Sequence, residues 1–294
     1  MKRLIAFIGV LVVAASGCQK PGAVIVEPPP SGDVLEVTSL PLPDINPTIG
    51  SFDSLGVTTS DAANFSGFLL VNRVTYDAGA GGVSSAAYSS VYFADRTKPY
   101  SFNGRTIGFY GMDLGPTLSI QVNNRLMFRI PYRVRLPDSG QDSSFGFFYF
   151  RDLGAVQPDT LVTWSVPVPS PMSSFSAQIR MPDNIKVLSP LGGSVLSRDK
   201  SVVLRWTGKG DIAIVISVVN PVTKRTRAIM KIHPANNEGK AVIDPRILQL
   251  LPRERFFMFS FIIANRDEKK SMGQYPGRIL VQAASVHNSY VEFQ

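Results

Sequence analysis

The chain has 294 residues, a formal net charge of +8, two histidines and a single cysteine. That length suggests two domains. One thiol allows no internal disulfide, so stability rests on core burial, and a zinc site needing three or four His, thiolate or carboxylate ligands is disfavoured by the same scarcity. In chain order, the first residues, MKRLIAFIGVLVVAASGC, place Lys2 and Arg3 before an apolar run from Leu4 to Ala15, then the small residues Ser16 and Gly17. Basic, apolar and small segments in that order read as a secretory signal, and about twelve apolar residues fall short of the ~20 that span a bilayer. The cysteine, Cys18, stands directly after it.

Ala15-Ser16-Gly17-Cys18 resembles the lipobox of bacterial lipoproteins, which ends in Gly-Cys or Ala-Cys, although Leu is commoner where Ala15 stands. The resemblance covers only about the first twenty residues. It implies that residues 1–17 are a cleaved signal peptide, that the Cys18 sulfur is diacylglycerated and that the new amino group is acylated. Several acyl chains, at roughly 0.8 kcal/mol per buried CH₂, hold a protein on a membrane with no crossing helix. In enterobacterial lipoproteins a residue other than Asp after the cysteine implies export to the outer membrane, and here that residue is Gln19. The expected place is therefore the cell envelope, anchored to the outer membrane, and the mature chain carries 28 Lys/Arg against 22 Asp/Glu.

Residues 18–47 hold the cysteine and seven prolines between Pro21 and Pro47, with no lasting periodicity. Such a segment stays extended and reads as a tether lifting the folded body from the lipid. The competing reading makes Val34 to Leu42 an edge strand of the first domain. Residues 48–182 form the first expected domain. Runs such as GFLLVNRVTY, AAYSSVYFAD, RLMFRIPYRVRL and SFGFFYFRDL are rich in β-branched and aromatic residues and are punctuated by Gly, Pro, Asn and Asp. They read as the short strands of an all-β body. In 125–136, Arg125, Arg129, Arg133 and Arg135 share one parity and Leu126, Phe128, Ile130 and Val134 the other, which predicts a half-buried strand with a cationic outer face.

A boundary falls near Pro167, Pro169, Pro171 and Pro182. Beyond it, IKVLSPLGGSVLSRDKSVVLRWTGKGDIAIVISVVNP gives a strand, a Ser-Pro-x-Gly-Gly turn, a strand carrying Trp206 and a third apolar strand. This pattern resembles immunoglobulin-like or fibronectin type III-like modules of bacterial surface proteins. The resemblance implies a sandwich over 183–294 with Val187, Leu204, Trp206, Ile214 and Ile216 in its core. No cysteine pair and no tyrosine-corner motif accompany it, so it describes an architecture. One or two helical turns are expected at DPRILQLL, with Asp244 as N-cap and Pro245 in the first turn. The fold class expected overall is all-β, two β-sandwich-like domains behind a signal peptide and a tether.

Catalytic and metal patterns are thin. His233 and His287 have no carboxylate or thiol at ligand spacing, and no serine sits in a G-x-S-x-G turn. Asp53, Asp61, Asp77, Asp95, Asp113, Asp138, Asp142 and Asp152 lie among Gly, Ser and Asn, as turn formers do. Asp138 and Asp142 lack the further acids of a calcium loop, and DAGAGGVSS (77–85), with no following helix or Lys, reads as a hairpin loop. The chain is expected to be no enzyme, with no cofactor and no metal.

Charge is shared unevenly. Residues 183–294 carry 17 Lys/Arg and 9 Asp/Glu, whereas 19–182 carry 11 and 13. Lys209, Lys224, Arg225 and Arg227 are the expected contacts to an anionic partner, and TKRTR and RDEKK read as hairpin turns. The expected function is a lipid-anchored, non-catalytic binding or adhesion module for an acidic glycan or envelope protein. The alternatives are a structural subunit of an envelope transport or secretion assembly, and an exported hydrolase. Nucleic acid is not expected, since no stacking-aromatic motif accompanies the charge.

Overall fold

A computed structural model describes residues 24–26, 35–39, 65–102, 105–115, 119–135, 142–167, 174–222, 226–235, 238–269 and 277–294. Residues 1–17, read as a signal segment, together with Cys18, Asp53, Asp61, Asp138, Lys224 and Arg225, lie outside them. The runs of β-branched and aromatic residues become strands: β1 (Val24–Val26), β2 (Leu35–Ser39), β3 (Phe65–Asp77), β4 (Val83–Phe102), β5 (Arg105–Gly111), β6 (Gln121–Val122), β7 (Arg125–Leu126), β8 (Phe128–Arg135), β9 (Asp142–Gly154) and β10 (Leu161–Val166). They continue with β11 (Phe175–Arg180), β12 (Lys186–Ser189), β13 (Val195–Leu196), β14 (Val202–Thr207), β15 (Ile212–Val219), β16 (Thr226–Pro234), β17 (Lys240–Ile243), β18 (Phe256–Lys269) and β19 (Arg278–Phe293). One helical turn, α1 (Pro245–Leu248), stands between β17 and β18, capped by Asp244, whose carboxylate accepts the Arg246 N–H. The fold is all-β.

One long sheet of 12 strands runs through both halves of the chain, with the path β1-β2-β16-β15-β18-β19-β3-β4-β5-β9-β8 and with β13 pairing with β19 off that path. Its centre is a parallel ladder from Arg278↔Phe65 to Ser289↔Asp77, flanked by antiparallel ladders to β18 and β4. At the centre of the sheet β3 and β19 are buried at nearly every position, so they show no alternation of buried and exposed residues, and polar side chains such as Asn72, Arg73, Gln282 and Ser285 are buried with the apolar ones. Two small sheets pack side by side on one face of the long sheet. The first, β11-β10-β6-β7, buries Val122, Val162, Trp164 and Ile179 against Leu69, Val71, Val91 and Val281. The second, β12-β14-β17, buries Val187, Leu204, Trp206 and Ile243 against Ile214, Ile216, Phe259 and Phe261. The fold is sandwich-like in each half, with one sheet common to both.

Several local expectations change. Within the span read as a tether, β2 pairs with β16 and buries Leu35 and Val37 in the second core, because their spacing of two puts both on its apolar side. In 125–136 the strand breaks at Met127: Met127 is buried, while Leu126 and Phe128, at 53% and 60% exposure, face solvent. β7 and β8 belong to different sheets, so one alternation cannot run through both. The first part of RDEKK is not a turn; Arg266 to Lys269 continue β18, paired with Gln282 to Ile279.

Candidate binding face

Two polar regions stand out, one inside the fold and one on its surface. The inner one is a seam on the covered face of β3 and β19, between the two cores. Arg73 donates to the Val156 and Pro182 carbonyls, both at 3.1 Å, and to Ser285 Oγ at 3.2 Å. Burial pulls its guanidinium below the ordinary value, and the nearby charge of Asp183 works the other way. Ser285 Oγ also accepts the Ile185 N–H at 3.1 Å. Asp77 accepts the N–H groups of Gly79 at 2.9 Å and Gly192 at 2.8 Å. His287 bonds to the Ile185 backbone, and burial lowers its pKa. The Asp77 oxygens are thus held by amides. The seam fastens the chain where it passes from β11 to β12, near the expected boundary, and no single motif in the sequence marks it.

The surface region is the outer face of β12-β14-β17. Alternation along β14 sends Val202, Leu204 and Trp206 inward and Val203, Arg205 and Thr207 outward. In register with them, Arg205 lies directly opposite Lys240, and Thr207 opposite Lys186. Directly opposed residues have Cβ atoms about 5 Å apart, and like charges so placed are destabilising. Lys209 follows two residues beyond Thr207, its N–H donating to Asp183 at 3.2 Å. Lys186, Arg205, Lys209 and Lys240 are all exposed, and none forms an ion pair among the described residues. Exposed Arg180, Arg246, Arg255 and Arg278, by contrast, each meet a carboxylate.

Of the basic residues singled out in the sequence, Lys209 therefore joins this face. Arg227, in β16 opposite Val218, does not. Lys209 precedes the start of β15 and Arg227 pairs near its end, which at about 3.3 Å per residue separates their backbones by roughly 20 Å. The grouping of Lys186, Arg205 and Lys240 depends on strand register and is not visible in the sequence, although the outward parity of Arg205 is readable in VVLRWT.

A second basic place carries less free charge. A depression of about 530 Å³ is lined by Arg198, Arg253, Arg255, Glu292 and Phe293. There Arg255 pairs with Glu292 at 2.6 Å, and Arg198 is held by the carbonyls of Leu248, Leu251, Pro252 and Glu254.

Among the described residues no group of three or more His, Cys, Asp and Glu could hold a metal ion, and no helix is long and apolar enough to cross a membrane. Comparison with protein-family models and with curated protein sequences gives no match.

Proposed function

We propose that the protein is a lipid-anchored envelope protein that works by binding, not by catalysis, and that the outer face of β12-β14-β17 holds an acidic partner. The observation that carries this reading is the direct opposition of Arg205 and Lys240, with Lys186 and Lys209 alongside and none of the four in an ion pair among the described residues. Folding alone gains nothing from like charges in register, whereas an anion lying across them converts the repulsion into attraction. Anchorage rests on the lipobox at Cys18 and places the face where anionic glycans and envelope proteins occur.

Two measurements test the reading. Replacing Cys18 by Ser is expected to release the protein from membranes washed in high salt, which removes charge-driven contacts of the body; undiminished retention after that wash removes the anchor from the proposal. Retention of the protein on an immobilised sulfated polysaccharide is expected to fall with salt, and to fall further in the triple variant Lys186→Gln, Arg205→Gln, Lys240→Gln. Equal retention of that variant removes this face from the proposal.

A further inference from the structure

The acidic partner has a distinctive requirement, because the cations of this face do not stand alone. Val203, 37% exposed, lies on the same side of β14 as Arg205. The ladder between β12 and β14 slips between Val187 and Ser189, so that Leu188 is an extra residue beside Arg205, 47% exposed. Bulges of this kind re-aim a side chain. Aliphatic side chains adjoining unpaired Lys and Arg match the boundary between lipid headgroups and acyl chains, where the apolar groups enter and the cations meet anionic headgroups. A soluble polyanion needs the cations only and offers nothing to Leu188 or Val203.

Resting on the reading that this face takes an acidic partner, we propose that the partner is the surface of an anionic membrane, onto which the body seats Leu188 and Val203 beside Arg205 and Lys240, with Lys186 and Lys209 farther along the same face. Asp183 and Glu238 border the face; the Asp183 carboxylate is turned to the Lys209 N–H.

The test uses residues 19–294, so that no acyl chain contributes, and sedimentation with vesicles of phosphatidylcholine alone or mixed with phosphatidylglycerol. Binding to the mixed vesicles and not to phosphatidylcholine is expected. Lys240→Gln is expected to weaken it about fivefold, the effect of one cation near such a surface. Leu188→Ser with Val203→Ser is expected to weaken it about tenfold or more while leaving retention on the sulfated polysaccharide unchanged. Lys240→Glu separates binding from folding, since it removes a like-charge opposition and should raise the melting temperature while reducing vesicle binding. Retention on the polysaccharide without vesicle binding overturns the membrane assignment and leaves the basic face as an anion site. Loss of both overturns the two readings together, and vesicle binding indifferent to the Leu188 and Val203 changes also overturns the seating.

Discussion

At the scale of single residues, Arg73 is the most demanding position in the fold. Its guanidinium supplies three bonds that tie the linker after β11 and the loop at Val156 to the long sheet. Arg73→Leu leaves the two carbonyls without their donor in a buried place, and the expected cost is about 2–4 kcal/mol, read as a lower urea midpoint with an unchanged slope. Arg73→Lys should recover only part of it, because one ammonium cannot reproduce a planar fork of donors. The aspartates show what was legible at this scale. Asp77, Asp113 and Asp152 each accept the N–H of the glycine two residues on, the local bond expected from an Asp-x-Gly turn, and Asp95 accepts that of Thr97 in the same way. The Asp77 bond to Gly192 was not legible, since it joins residues far apart in the chain.

At the scale of elements, short-range pattern and long-range pairing part company. The cap at Asp244, the loop between β3 and β4, and Trp206 facing inward beside Phe261, with ring centroids 6.0 Å apart, follow from a few adjacent residues. The continuation of β18 through Arg266 to Lys269 does not, because a run of charges reads as a turn until its partner strand is known. Here Arg266 Nε donates to Gln282 at 2.8 Å, and Arg278 pairs with Glu268 at 3.2 Å, so the charges are matched across the ladder. Glycine carries a sharper test. Gly146, at φ +90, meets Gly111 where β5 touches β9, and a Cβ there would overlap the Gly111 carbonyl oxygen. Gly146→Ala is expected to cost at least about 2 kcal/mol in thermal or urea melts. Gly154→Ala, at φ +70 with open space around it, should cost only about 1 kcal/mol. Equal costs would show that backbone conformation alone, and not the contact between the strands, limits Gly146.

At the scale of the whole molecule, the all-β class was readable from composition and period, whereas the single sheet spanning both halves was not. Its central ladder joins residues more than 200 positions apart, as in Ile279↔Gly67, and a parallel pairing leaves no turn to announce it. Residues 183–294 expressed alone would leave β19 bare along the whole flank that β3 occupies. They are expected to associate into oligomers in size-exclusion chromatography; a soluble monomer would refute that dependence. A second molecular property is the response to acid. Burial lowers both His233 and His287 from the usual 6.5, so as pH falls through that value the unfolded chain takes up protons that the folded chain refuses. Stability is intact above about pH 6.5 and declines below it toward the depressed folded values. The melting temperature should therefore drop between about pH 7 and pH 5, and less so in His287→Gln, which keeps a donor for Ile185.

The parallel join of β19 to β3 also bears on the order in which the polypeptide can fold. A chain synthesised from its amino end completes β3 early and β19 after every other described strand, so the middle of the sheet cannot close until then. The earlier strands must stay uncommitted, or be shielded by a chaperone, until the final stretch has been made.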